Sequence, residues 1–279
     1  MARTLQALQA QQPPGQDLWV FGYASLIWRP EFEALETHRT RVHGWHRALK
    51  MWSRINRGTP ECPGLVFALL PGGSCQGLVY RVAASQAQGT LARLWAREMP
   101  MTVYEPRWLP CPTPDGSVRA LAFTLPRHSP SHTGSLSRQR YREIFAQATG
   151  RFGSTQDYAV QTLQALRAQG IEDRALARLI TLARLWAREM PMTVYEPRWL
   201  PCPTPDGTVR ALAFTLPRQS PSHTGKLSPD RYREIFAQAT GRFGSTREYA
   251  EQTLLALRAQ GIDDRALARL ISEATGRIH

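Results

Sequence analysis

Short apolar runs bounded by glycine and proline dominate the first part of the chain, and apolar residues at helical spacing dominate the rest. Leu18-Trp19-Val20-Phe21-Gly22-Tyr23 reads as a first strand, ending in the small-residue turn Ala24-Ser25 ahead of Leu26-Ile27-Trp28. Gly64–Leu70, the turn Pro71-Gly72-Gly73 and Gly77–Val82 read as a hairpin. Ser85-x-x-Gln88 has the spacing of a capping box and predicts a helix running to about Glu98. Val103–Pro110 and Val118–Leu125 predict a second hairpin around Pro114-Asp115-Gly116. Helices follow over Arg138–Ala148, over Thr155–Gln169 with Gly170 as its stop, and from about Asp173. Strands first and helices later predict an α+β fold.

An internal repeat changes how that pattern is divided. Thr90–Ile180 and Thr181–Ile271 align without a gap at an offset of 91 residues, with 81 of 91 positions identical. Solenoid repeats are shorter, about 20–50 residues, and drift further apart. The segment LARL occurs at 91–94 and again at 176–179, a natural place for misaligned recombination. A recent tandem duplication, a splice of two alleles or an assembly artefact would each leave this pattern. Without one copy the chain would have 188 residues, the size of a single domain. The helix from Asp173 is spaced to run through the junction (Leu176, Leu179, Ile180, Ala183, Trp186) to about Glu189.

Charge then needs a correction. Lys+Arg 35 against Asp+Glu 22 gives +13 over 279 residues, but the second copy carries 13 basic and 9 acidic residues, and one copy alone leaves +9. The arginines are scattered between apolar residues without a block of like charge, which favours a solvated surface over a nucleic-acid partner. A nucleic-acid reading rests on charge alone and predicts steeply salt-dependent DNA retention. No stretch approaches the roughly 20 apolar residues that cross a bilayer. Met1–Asp17 is polar and Gln/Pro-rich, without the apolar run of a secretory signal. Four cysteines make no disulfide framework, so a cytoplasmic location is expected.

Three stretches offer chemistry. Leu91, Leu94, Trp95 and Glu98 fall on one helix face, so a carboxylate sits among apolar residues in a last turn ended by Pro100. Apolar surroundings and the negative helix end both raise its affinity for a proton, which suits a general base or acid. Arg93 and Arg97 are expected to point elsewhere; the competing reading pairs Glu98 with one of them. Phe21–Leu26 ends a strand in a loop whose N–H groups could face an oxyanion, or is a plain turn. Arg54 and Arg57 could hold a carboxylate or be solvated. His43-x-x-His46 lacks a third ligand at suitable spacing, and Cys62, Cys75 and Cys111 form no CxxC pair, so no metal is expected. No phosphate-binding glycine loop or dinucleotide fingerprint is present.

Together, Phe21-Gly22-Tyr23-Ala24-Ser25-Leu26-Ile27-Trp28, Gly44-Trp45-His46-Arg47-Ala48, Arg57-Gly58-Thr59-Pro60-Glu61, Gly77–Val82 and Leu94-Trp95-Ala96-Arg97-Glu98-Met99 resemble the ChaC family of glutathione-specific γ-glutamylcyclotransferases, in family order from about Leu18 to Ile180. The family pattern has Gly where this chain has Ala24, a substitution costing on the order of 1 kcal/mol if that backbone needs φ > 0. The resemblance implies a small mixed β-barrel with flanking helices. It also implies cleavage of glutathione to 5-oxoproline and Cys-Gly without metal or cofactor, with the substrate's α-amine attacking its own γ-carbonyl. Glu98 would be the base, and N–H groups around Tyr23, Ala24, Ser25 and Leu26 would hold the γ-glutamyl end. Tyr104 resembles a family pocket tyrosine, and Arg54 or Arg57 is inferred to meet a substrate carboxylate.

The division expected is then a polar tail at 1–17, a γ-glutamylcyclotransferase domain at 18–180, and at 181–279 a tandem copy plus short tail, incomplete as a domain. Copy two repeats the base as Glu189 but has no second Tyr-Ala-Ser-Leu loop. Residues 18–89 could complete their barrel with either copy; loop closure favours the adjacent one by a few kcal/mol at most. The orphan copy is expected to expose apolar faces and self-associate. The alternative function is a γ-glutamyl-peptide binding protein inactivated by the duplication.

Overall fold

A computed structural model describes residues 4–100, 103–189 and 194–276, and the chain divides into two compact units, Met1–Pro191 and Met192–His279. In the first unit, helix α1 (Leu5–Gln9) is capped by Thr4, whose hydroxyl accepts from the Ala7 N–H at 3.2 Å, and it buries Leu8. The segment read as a polar tail is therefore partly packed on the core; its residues 1–3 lie outside the described ones.

Strand β1 (Leu18–Gly22) is followed by the single-turn helix α2 (Ser25–Trp28), strands β2 (Glu36–Ser53) and β3 (Gly64–Val82), helix α3 (Ala84–Glu98), and the hairpin β4 (Glu105–Thr113) and β5 (Gly116–Thr124). Among the described residues these strands form one five-stranded sheet in the order β2-β3-β1-β5-β4. β1 runs antiparallel to β3 (Leu18↔Val82, Gly22↔Leu78) and parallel to β5 (Trp19↔Ala120, Val20↔Leu121). Its nearly unbroken apolar run suits a central strand covered on both faces. The sheet curls into a half-barrel, and the Arg107 guanidinium of β4 lies over the Trp45 ring of β2 at 5.3 Å. The α+β class read from the sequence is the one found.

Two local readings are corrected. Pro71-Gly72-Gly73 is not a hairpin turn, because β3 runs straight through it, paired with the unforeseen β2 from Glu36↔Arg81 to Ser53↔Gly64. Gly72 and Gly73 take φ of +100° and +71°, opposite a register shift between His43 and Trp45, so the glycines bend a long ribbon instead of ending it. The expected capping box of α3 does not form: Ala83 occupies the N-cap without a side-chain bond. Asp17 supplies the acceptor from a distance, taking the Ala84 N–H at 2.8 Å and Arg81 Nε at 2.6 Å.

Helix α4 (Arg138–Gln147), the two-residue strands β6 (Thr149–Gly150) and β7 (Gly153–Ser154), and helices α5 (Thr155–Ala168) and α6 (Arg174–Glu189) complete the first unit. α5 opens on a capping box between Ser154 and Asp157. Asp173 caps α6, accepting from the Leu176 N–H at 3.0 Å, and the helix crosses the repeat junction as its spacing predicted, burying Leu176, Ile180 and Ala183. The barrel strands are thus completed by the adjacent copy.

In the second unit the same sequence makes β8 (Glu196–Thr204), β9 (Gly207–Thr215), α7 (Pro229–Gln238), β10 (Thr240–Gly241), β11 (Gly244–Ser245), α8 (Thr246–Ala259) and α9 (Arg265–Thr275). Among the described residues β8 and β9 pair only with each other, and the buried cluster shrinks to Phe236, Ala250 and Ala274.

Candidate active site

The last turn of α3 delivers Glu98. Leu91 and Leu94 anchor that face in the core, and helix ends as Met99 closes onto the Trp95 carbonyl at 2.8 Å, just before Pro100. The Glu98 side chain is 17% exposed and lines a 30 Å³ cavity with Tyr23, Ala24, Ser25, Leu26, Phe67, Tyr104, Phe123 and Tyr158. Ser25, Glu98, Tyr104 and Tyr158 also line a cleft of about 690 Å³ that includes Trp28, Arg29, Glu31, Arg54, Arg57 and Phe152. That size suits a small molecule entering a narrow polar end.

Burial pushes the Glu98 carboxyl above its ordinary range, opposed by Arg97, whose Nε lies 3.0 Å from Oε1, and reinforced by the Glu31 carboxylate. The sequence reading sent Arg97 elsewhere; it turns back onto Glu98 because its own helix ends there. Pairing with Arg97 and a raised proton affinity, posed as alternatives, hold together. Burial likewise pushes up the phenols of Tyr23, Tyr104 and Tyr158, keeping them neutral. The Tyr23 hydroxyl donates to the Phe123 carbonyl at 3.0 Å.

The loop after β1 is held from behind. Ala24 has φ −143°, outside the left-handed region, so alanine carries no φ penalty here. The first turn of α2 leaves the Ser25 and Leu26 N–H groups without intrahelical partners. Tyr80 donates its hydroxyl to the Leu26 carbonyl at 2.9 Å. Arg47 Nη1 donates to the Tyr23 carbonyl at 2.8 Å and to the Gln76 carbonyl at 3.0 Å, while its Nη2 meets Asp173 Oδ2 at 2.6 Å.

The structure thus brings Tyr23, Ala24, Ser25, Leu26, Glu98 and Tyr104 to one cavity. Arg54 is exposed on the cleft with no ion pair among the described residues. Arg57 is buried: it donates to the Phe152 carbonyl, lies 4.9 Å over the Tyr158 ring, and is committed to holding its loop. Glu189 ends α6, pairs with Arg188 at 2.6 Å, and lines neither cavity. Sequence reasoning missed Tyr158, Phe67, Glu31 and the Arg47–Asp173 pair. Tyr158 carried the spacing of an ordinary core residue, and Arg47 lay inside a motif without chemistry of its own. Among the described residues no group of three or more His, Cys, Asp or Glu is placed to hold a metal ion, and no helix is long and apolar enough to cross a membrane.

A curled sheet carrying a buried glutamate against a strand-end loop defines a class that comparison with known proteins places. The family described as ChaC-like protein matches residues 18–185. The glutathione-specific γ-glutamylcyclotransferase of Escherichia coli (strain K12) is 34% identical over 199 residues, covering 70% of this chain and 86% of the relative. Glutathione-specific γ-glutamylcyclotransferase 1 of Homo sapiens is 27% identical over 172 residues, covering 59% and 78%. A crystal structure of a yeast γ-glutamyl cyclotransferase specific to glutathione shares the fold at TM-score 0.56 and 20% identity, covering 61% of this chain and 97% of its own. The chain belongs to the ChaC-like family.

Proposed function

We propose that the protein cleaves glutathione to 5-oxoproline and Cys-Gly. The observation carrying this reading is Glu98, raised in proton affinity and set across a cavity from the Tyr23–Leu26 loop. Family membership and the names of its relatives support it. Glu98 takes a proton from the substrate's α-ammonium, and the freed amine attacks the γ-carbonyl carbon to close a five-membered ring. The oxyanion develops toward the Ser25 and Leu26 N–H groups, which are fixed before substrate arrives. As the tetrahedral centre collapses, the C–N bond to cysteine breaks, Glu98 returns the proton to the leaving amine, and the ring nitrogen's second proton follows it, leaving a neutral lactam and the Cys-Gly ammonium. No water is consumed. A carboxyl of raised pKa serves both transfers. Confining amine and carbonyl in a tight cavity supplies the proximity. Tyr23 and Tyr104 shape the γ-glutamyl end, and the unpaired Arg54 meets the glycine carboxylate at the cleft.

Residues 18–180 carry this activity in a reducing cytoplasm, a location supported by the free thiols of Cys62, Cys75, Cys111 and Cys202. Residues 181–279 repeat Glu98 as Glu189 without a second Tyr23–Leu26 loop, and they self-associate through the exposed Trp199, Leu200 and Val209. The test is 5-oxoproline release from glutathione, with Glu98→Gln abolishing it. Tight γ-glutamyl-peptide binding without turnover by the unaltered chain would leave a binding protein instead.

A further inference from the structure

Glu31 has φ +62°, in the left-handed region, and no other non-glycine residue among those described has a positive φ. Such strain persists only where surroundings enforce it, and here it aims a carboxylate at two guanidiniums. Oε1 meets Arg29 Nε at 2.6 Å and Oε2 meets Arg97 Nη1 at 3.0 Å. Arg97 spreads further: Nη1 also donates to the Arg29 carbonyl at 2.5 Å, Nη2 to Ser25 Oγ at 3.0 Å, and Nε faces Glu98 Oε1 at 3.0 Å. One side chain therefore ties the end of α3, the first residue of α2 and the strained turn together. The mechanism above uses neither Glu31 nor Arg97.

We propose that Arg97 and Glu31 are positioning residues: Arg97 fixes the Glu98 carboxylate beside Ser25, and Glu31 shares its charge, so that Glu98 remains a base and not half of a locked ion pair. The inference rests on Glu98 being the base in glutathione cyclisation. The groups facing Glu98 are Arg97 on its own helix, Glu31 from the turn after α2, Tyr23 from the end of β1, Tyr104 ahead of β4 and Tyr158 from α5. Arg29, Arg54 and Arg57 line the adjoining cleft. The three phenols stay neutral. Among the described residues lining the cleft, the carboxylates are Glu31 and Glu98.

The two residues act on Glu98 with opposite signs, and that gives the test. The kcat/KM for glutathione is measured against pH in the full chain. Glu31→Gln leaves the whole Arg97 charge to Glu98 and moves the acid limb to lower pH. Arg97→Met removes the cation and moves the limb to higher pH, with the plateau kcat falling about tenfold as the carboxylate loses its hold. Arg97→Lys restores charge without the branched donor set, so the limb returns toward the unaltered position while kcat stays low. Arg93→Met, whose arginine bonds Thr90 at 2.9 Å and lines neither the cavity nor the cleft, leaves both unchanged. Limbs that stay fixed in Glu31→Gln and Arg97→Met, or move the same way in both, overturn the proposal while turnover by the unaltered chain persists. Absence of turnover in the unaltered chain would instead remove the activity on which it rests.

Discussion

Residues 90–180 and 181–271 are nearly the same sequence in two situations. Both make a strand hairpin in the same register, a capped helix after a two-residue turn, and a further helix with an aspartate at its start. Their surroundings differ. Tyr158 is 5% exposed, 5.4 Å from Phe67 and under the Arg57 guanidinium, whereas Tyr249 is 74% exposed. Leu109 is 6% exposed and Leu200 40%. Asp173 caps α6 and also grips Arg47; Asp264 caps α9, accepting from the Leu267 N–H at 2.9 Å. Local sequence sets the elements, but residues 18–89 supply the other wall of the core and of the site. The second copy repeats Glu98 as Glu189 without a counterpart of the Tyr23–Leu26 loop.

The largest expected difference between the copies is in the base. Glu98→Gln lowers kcat by about 10²–10⁴-fold, while Glu189→Gln stays within about twofold, measured as 5-oxoproline release. The reverse result would mean that the second copy does the work. Next comes the strut behind the loop. Asp173→Asn leaves the buried Arg47 guanidinium without its counter-charge and costs about 3–5 kcal/mol in urea unfolding of the first unit. Asp264→Asn costs less than about 0.5 kcal/mol, because asparagine caps a helix as well as aspartate does. Smaller again is a close backbone approach. A Cβ at Gly150 would stand 2.5 Å from the Gly58 nitrogen and from the Ile55 carbonyl oxygen, so Gly150→Ala costs about 1–3 kcal/mol. At Gly241 the nearest atom is 4.0 Å away, and the same change is close to neutral.

That pairing shows which features the sequence discloses. The 91–98 face and the Val103–Leu125 hairpin were legible because their signals are local: apolar spacing, a terminating proline, a Pro-Asp-Gly turn. The strand at 36–53 was not, because its threonines, arginines and histidines alternate on a ribbon whose partner is remote in sequence. Pro71-Gly72-Gly73 misled for the converse reason: its turn chemistry is real, but pairing on either side outweighs it. Glu98, Tyr104 and the 23–26 loop, singled out by local signals, line one cavity, and Arg54 is separated from Arg57 only by seeing which arginine already has partners. Tyr158 and Asp173 were invisible as site residues, since nothing in their own segments distinguishes them from Tyr249 and Asp264.

The smallest effect concerns stability and follows from burial of Glu98. The fold raises the Glu98 pKa above its ordinary carboxylate range, so the native state favours the protonated form. Its stabilising contribution is therefore complete below that ordinary range and is lost as pH rises through the raised value. At neutral pH the charged form costs stability that a permanently neutral glutamine of the same shape avoids. Glu98→Gln should melt a few degrees above the unaltered chain at pH 7.5, the gap closing toward pH 4 as Glu98 takes up its own proton. Arg97 loses one partner in this variant but keeps Glu31, Ser25 and the Arg29 carbonyl. Glu189→Gln, at a helix end beside an exposed Arg188, should show no such gap at either pH. A Glu98→Gln protein less stable than the unaltered chain at neutral pH would mean that the Arg97 ion pair outweighs the burial of the carboxylate, and the acid would then be held chiefly for structure.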